Sequence, residues 1–290
     1  MADGRAEIAA GKRFAFGSNW KSFVELVDDG RIGIARQSLT GTLGVTDLSG
    51  RRFLDIGCGS GLFSLAAHQL GACVHSFDFD PDSVATAAEL RRRFAPGSDW
   101  TVEQGSILDP QLVAGLARFD VVYAWGVLHH TGNLWLAIDA AARLVAPGGL
   151  LFVSVYNDQG AQSRMWRRVK QRYNASGRAT RGVLVVASRA YLGRRWPVHA
   201  LARLSRRSSA GTTRPARARG MSAKHDLIDW VGGYPFEVAK PEEVFASVRR
   251  LGFELRHLKT CGGGIGCNEY VFEQVQIGRA SCRERVFLSV

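Results

Sequence analysis

The 290-residue chain has few cysteines and no pattern to organise them. Cys58, Cys73, Cys261, Cys267 and Cys282 include no CxxC pair, so neither a zinc site nor a disulfide scaffold is indicated and no metal is expected. No apolar run reaches the roughly 18 residues that would suggest a membrane-spanning helix. The first residues, MADGRAEIAAGKR, are charged and lack the apolar stretch of a secretory signal. These absences leave a reduced, cytoplasmic protein as the expectation. Hydrophobic residues make up 46% of the chain, ample for a packed core. The length suits one large domain, or one domain with an insertion.

Acid is missing too, but only locally. Between Gln159 and His225 stand 17 of the 38 Lys and Arg residues and no Asp or Glu. Elsewhere 21 basic residues face 26 acidic ones, so the formal charge of +12 belongs to one segment. At the far end, Ile277 to Val286 reads IGRASCRERV. Those residues can be encoded by a string that resembles a common short-read sequencing adapter in frame. Residues 277–290, with Cys282, are therefore set aside as an artefact, as a fusion scar would be.

What is present is an alternation of short apolar runs and helical stretches. RFLDI (52–56) reads as a buried strand and Leu62 to Leu70 as the helix after it. ACVHSFDF (72–79) is a second strand, and Pro81 opens a helix at an allowed first-turn position. Trp100 to Gln104 and Phe119 to Ala124 are the third and fourth strands. Leu134 to Val145 is an amphipathic helix with Leu134, Ile138, Ala141 and Val145 on one face, stopped by Ala146-Pro147-Gly148-Gly149. Leu150 to Tyr156 is a fifth strand, and Phe253 to Thr260 with Glu269 to Val275 form an antiparallel pair at a sheet edge. Strands alternating with helices indicate an α/β sandwich with a mainly parallel sheet. The stretch from about 160 to 225 interrupts the pattern. In it Val183, Val186, Ala190 and Tyr191 share a helical face, and residues 205–220 are Ser-, Arg- and Gly-rich and read as mobile.

The first strand runs into Gly57-Cys58-Gly59-Ser60-Gly61. A dinucleotide fingerprint would place a third glycine where Leu62 stands. Asp55, two residues before the first glycine, is poorly placed for a pyrophosphate and suits a cofactor with a cationic group. Asp78 ends the second strand, where an acid accepts hydrogen bonds from ribose hydroxyls. The cofactor expected is a ribose-bearing one with positive charge and no diphosphate.

FLDIGCGSG, followed by HSFDFDP, EQGSILD, FDVVYAWGVLHHTGN and LVAPGGLLFVS, resembles the class I S-adenosylmethionine-dependent methyltransferases, including the ubiquinone-biosynthesis type that acts on small molecules. The resemblance covers roughly residues 50–156, and the terminal NEYVFEQV also fits. It implies a Rossmann-like three-layer sandwich, a seven-stranded mostly parallel sheet with the last strand antiparallel, and S-adenosyl-L-methionine as cofactor. It further implies that Asp55, Gly57, Cys58, Gly59 and Gly61 surround the methionine part and that Asp78 binds the ribose, with Phe79 beside the adenine. Ser106 and Ile107 would meet the adenine edge, and Trp125 would line the pocket.

Methyl transfer from a sulfonium needs alignment more than acid, because the leaving group is a neutral thioether. A hydroxyl acceptor gains from a base, and His129 and His130 follow the fourth strand, where open α/β sheets bind ligands. Neighbouring helical histidines diverge by about 100°, so at most one faces the acceptor. Ubiquinone-type O-methyltransferases carry acids here, where this chain has Gly126 and His129, which weakens a metal role and a close catechol analogy. His225, Tyr234 and Glu237 are further candidates, each more easily read as structural, and Phe16-Gly17-Ser18-Asn19-Trp20 is a candidate lid.

The basic segment has four readings: contact with an anionic membrane through residues 178–219, a lid over the acceptor, a nucleic-acid track, or a solvated insertion. Nucleic acid is disfavoured, because the fourth strand ends in YAWGV instead of the Asn/Asp-Pro-Pro-aromatic motif of base-amino methylases. The organisation expected is a helical lid region (1–50), a cofactor-binding core (51–158), a basic amphipathic insertion (159–225) and a C-terminal helix and hairpin (226–276). The activity expected is methyl transfer to a small or lipid-like acceptor, most plausibly at oxygen. The rivals are C- or N-methylation, a nucleotide-dependent oxidoreductase, and a non-catalytic cofactor-binding protein.

Overall fold

The computed structural model describes residues 4–17, 20, 24–193 and 223–275, excepting the side chains of 223–226. Its strands are β1 (Arg52–Ile56), β2 (Cys73–Asp78), β3 (Thr101–Gln104), β4 (Phe119–Ala124), β5 (Val145–Tyr156), β6 (Phe253–Lys259) and β7 (Cys267–Gln274). They form a seven-stranded sheet in the order β3-β2-β1-β4-β5-β7-β6. The first five pair in parallel, whereas β7 runs antiparallel to both β5 and β6.

The helices are α1 (Gly4–Ala9), α2 (Asp29–Leu43), α3 (Leu62–Gln69), α4 (Pro81–Phe94), α5 (Pro110–Gly115), α6 (Leu134–Arg143), α7 (Ala161–Asn174), α8 (Arg178–Gly193), α9 (Ala223–Gly232) and α10 (Pro241–Arg250). Their starts are written in the sequence. Asp80 and Asp109 each precede a proline and accept the backbone N–H of Asp82 and Gln111, and Asn133 accepts that of Leu136.

Strand side chains alternate between two cores. Leu54, Ile56, Val122, Leu151 and Val153 face α6 and α10. Phe53, Val121, Tyr123 and Phe152 face α2 and α3. Leu54 is fully buried, worth about 1.5–3 kcal/mol by transfer.

One expectation needs correction. The amphipathic helix ends at Arg143, and β5 starts at Val145 and takes in Ala146-Pro147-Gly148-Gly149. Phe119 pairs with Val145 but Val121 pairs with Leu150, so the Pro-Gly-Gly residues form an irregularity inside the strand instead of a break before it. On α8, Val183 and Val186 are 67% and 69% exposed, while Tyr191 meets Trp166 edge-on. Residues 205–220 lie outside the described residues, as do 277–290.

Candidate active site

The strand order reverses between β1 and β4, and ligands of open α/β sheets bind at the carboxyl ends of strands at such a switch point. A cavity of about 900 Å3 lies there. Its lining comprises two groups of residues, two lobes distinguished by their chemistry: Asp55, Gly57, Cys58, Gly59, Asp78 and Phe79 at the glycine loop, and Phe14, Phe16, His130, Tyr156, Trp230 and Tyr234, mostly aromatic.

The glycine loop is braced from within. The amides of Gly57 and Cys58 donate to the Phe77 carbonyl, that of Gly61 to the Cys58 carbonyl, and that of Gly59 to Asp78 Oδ2 at 2.9 Å. Gly57 has φ +68°, and a Cβ there would sit 2.4 Å from the Val127 side chain. Gly61, at φ +79°, turns away from the cavity. A Cβ on it would meet Ala87 of α4 at 2.9 Å, so it serves the approach of two helices and is not among the residues lining the cavity. The Cys58 thiol is pushed up by burial and, secondarily, by Asp78 and Asp55.

Asp55 is the centre of this lobe. It sits at the first turn of α3, accepting from the Ser64 hydroxyl at 2.5 Å, and the Ser64 backbone favours its charge. Behind it runs a buried relay: Trp100 Nε1 donates to Ser76 Oγ at 2.6 Å, and Ser76 donates to Ser64 Oγ at 2.9 Å. A carboxylate therefore fills the helix N-terminus that binds the pyrophosphate in dinucleotide folds. Burial raises Asp55 to about 7, with Asp78 adding repulsion. Burial likewise raises Asp78 to about 6, against the amides of Asp80 and Gly59 that favour its charge.

The adenine-side candidates converge. Phe79, Ser106, Ile107 and Trp125 all line the cavity. The Arg13 guanidinium lies 4.4 Å from the Phe79 ring centroid and donates to the carbonyls of His130 and Thr131, both at 2.9 Å. The N-terminal segment thus covers the cleft. Gly17 donates to Asp80 Oδ2 at 2.7 Å, Phe14 donates to the Tyr234 carbonyl, and Trp20 lines the cavity; Ser18 and Asn19 lie outside the described residues.

The two histidines occupy a 3-10 turn, Leu128–His130, and separate. His129 is fully buried and does not line the cavity. Its Nδ1 faces the Ser154 carbonyl at 3.2 Å, and its Nε2 has no hydrogen-bond partner. His130 lines the cavity, with Nδ1 2.6 Å from the Pro235 carbonyl. A carbonyl only accepts, so Nδ1 carries the hydrogen and Nε2 is left to take a proton. Burial, then the charge of Lys170, pushes His130 down to about 3, and burial with His130 beside it holds His129 well below the ordinary imidazole range.

Of the remaining candidates, Tyr234 lines the cavity. Glu237 is structural: its carboxylate accepts from the amides of Gly132 and Leu134 at the start of α6. The side chain of His225 lies outside the described residues. Sequence reasoning missed the Ser64–Ser76–Trp100 relay and Lys170, which is fully buried on α7. The signal for Lys170 was there, since Trp166, Lys170 and Tyr173 fall at helical spacing and all three are buried.

The family model described as a methyltransferase domain matches residues 34–201, more than half of the chain. The ubiquinone biosynthesis O-methyltransferase of Brucella melitensis biotype 2 is 36% identical over 110 residues, 38% of this chain and 43% of that protein. That of Xanthomonas oryzae pv. oryzae is 36% identical over 111 residues, 38% of this chain and 45% of that protein. The chain thus matches less than half the length of these curated relatives. An O-methyltransferase family protein from Burkholderia thailandensis superposes with a TM-score of 0.52 at 13% identity, over 86% of this chain and 58% of that one, a likeness of fold alone. The chain belongs to the methyltransferase-domain family of class I, S-adenosylmethionine-dependent methyltransferases.

Proposed function

We propose that this protein transfers a methyl group from S-adenosylmethionine to a small or lipid-like acceptor, at an oxygen, with His130 as the base. The observation that carries this reading is Asp55 seated on the N-terminus of α3 beside Asp78. Two carboxylates raised by desolvation, Asp55 buried and Asp78 partly so, favour a ligand that brings an ammonium and hydroxyl donors, and they disfavour a diphosphate. S-adenosylmethionine, when bound, supplies a methyl group activated by a sulfonium. Asp55 would meet its methionine end and Asp78 its ribose. Gly57, Cys58 and Gly59 would offer close backbone approach, and Phe79, Ser106, Ile107 and Trp125 would hold the adenine side.

The chain's own residues would do the rest. Phe14, Phe16, Tyr156, Trp230 and Tyr234 surround the second lobe with rings suited to a flat or lipid-like acceptor. His130, neutral with a hydrogen on Nδ1 and a weak base, would take on Nε2 the hydroxyl proton that becomes strongly acidic as the methyl–oxygen bond forms and the methyl–sulfur bond breaks. His129, kept out of the cavity, would support the turn. The relatives named ubiquinone biosynthesis O-methyltransferases support oxygen as the methylated atom. In this reading residues 1–50 are a lid, 51–158 the cofactor core, 159–225 a basic insertion and 226–276 the completion of the sheet, and residues 178–219 touch an anionic membrane.

The test is calorimetric titration of the chain ending at Gln276 with S-adenosylhomocysteine and, separately, NADH. Binding of the former alone, followed by transfer of a labelled methyl to a phenol, is expected. Binding of NADH alone would refute the reading, and label on carbon or nitrogen would correct the methylated atom.

A further inference from the structure

A lysine with no place in the proposed chemistry sits behind the acceptor lobe. Lys170 is 0% exposed. Its Nζ lies 4.6 Å from the Trp230 ring centroid, 4.8 Å from that of Phe236 and 5.7 Å from that of Tyr156. It donates to the Trp230 carbonyl, and Asn174, one turn further along α7, donates to the Gly232 carbonyl at 2.7 Å. Those carbonyls belong to the last turn of α9, where helix carbonyls lack intrahelical partners and the dipole attracts a cation.

The segment after α9 leads to His130. Gly233 donates to the Asp229 carbonyl and closes the turn, Tyr234 lines the cavity, and the Pro235 carbonyl takes the Nδ1 hydrogen of His130. A second route runs through Tyr156. Its ring lies near both Lys170 and the histidines, 4.1 Å from the His129 centroid and 5.6 Å from that of His130. Trp230 and Tyr156 thus line the acceptor lobe while their rings also cage the ammonium. Burying a lysine costs stability, whereas an aliphatic side chain would pack α7 against α9 without that penalty. The cage and the capped carbonyls give the charge a specific task.

We propose that Lys170 is a positioning residue: its caged ammonium fixes the end of α9 and the Tyr156 ring, and through them the tautomer and orientation of His130 at the acceptor lobe. It touches neither cofactor nor acceptor. The inference rests on the proposed reading that His130 faces the acceptor.

The experiment is imidazole nitrogen NMR of the full chain, with the His130 signals assigned by His130→Gln. The wild type is expected to show a neutral ring with its hydrogen on Nδ1. Lys170→Met should lose that signature and mix tautomers, while the Kd for S-adenosylhomocysteine changes less than about twofold and kcat falls on the order of tenfold. Lys170→Gln, which keeps a donor without the charge, should move the signature in the same direction if the Met variant does not fold. Lys170→Arg, which keeps cation and donors, should restore it. A folded Met or Gln variant that melts earlier but leaves the His130 signature and kcat unchanged would reduce Lys170 to a structural role and overturn the proposal. Wild-type protein that binds no S-adenosylhomocysteine would instead refute the methyltransferase activity, with the His130 signature still testing Lys170.

Discussion

Asp55 and Asp78 carry opposite demands, solvation lost on folding and charge wanted by a cationic ligand. Asp78→Ala removes the acceptor proposed for ribose hydroxyls and the brace on Gly59. Losing hydrogen bonds to a charged group costs about 1.5–3 kcal/mol, so calorimetry should show S-adenosylhomocysteine binding weakened roughly 10- to 100-fold. Unchanged affinity would end the ribose assignment. Asp55 gives a pH signature. Its carboxyl ionises near 3.8 in the unfolded chain and at about 7 when folded. The folded state holds the proton more tightly, so this group's contribution is fully present below pH 4 and is lost as pH rises towards 7. Asp55→Asn should therefore match the wild type near pH 4 and exceed it above pH 7 by on the order of 2–4 kcal/mol in urea unfolding without ligand. Parallel stability curves would mean that Asp55 is not held protonated. The place of Asp55, near the end of β1 and just before the glycine loop, was legible in the sequence. Its support was not, because the link to Trp100 crosses three elements and two serines, each unremarkable where it stands.

Among the elements, those specified locally were the readable ones. β1 and β4 have the bounds that their apolar runs imply, and Asp80-Pro81 opens α4 with a side-chain cap and a proline at N1. β5 was misjudged because Pro-Gly-Gly is a local stop signal, and only pairing with β4 turns it into part of a strand. α6 shows the same limit. Its start is capped by the neighbouring Asn133 and also by Glu237 from a loop about a hundred residues away. Glu237→Ala should uncap the amides of Gly132 and Leu134 and destabilise the protein by about 1–2 kcal/mol in urea unfolding. Glu237→Gln, keeping an acceptor, should lose less. The Kd for S-adenosylhomocysteine should stay within about twofold, since this contact holds a helix and no ligand. No loss of stability in Glu237→Ala would mean that solvent replaces the carboxylate at the helix start.

At the scale of the molecule, charge and exposed apolar surface lie on the same side of the chain's sequence. Of the 17 basic residues between Gln159 and His225, 11 fall within 178–219, the stretch proposed to touch a membrane. The described part of that stretch is α8, which presents Val183 and Val186 to solvent. Its Arg181 is already used, donating to the carbonyls of Tyr173 and Asn174 at the end of α7. No helix among the described residues is long and apolar enough to cross a membrane. Basic residues near an anionic bilayer contribute about 1 kcal/mol each at most, and salt screens them. Deleting 178–219 would also remove the Arg181 contacts and confuse a lost surface with a damaged fold. The sharper variant is Val183→Asp with Val186→Asp, since both side chains are exposed and their replacement leaves packing untouched. Sedimentation with phosphatidylglycerol vesicles should capture the wild type at low salt and release it at high salt, and neutral vesicles should capture little. The double variant should bind the anionic vesicles about tenfold more weakly, with its melting temperature and its Kd for S-adenosylhomocysteine unchanged. Equal capture of both proteins would show that the valines do not enter the bilayer. Charge alone would then account for the binding, and α8 would be a lid or a solvated helix.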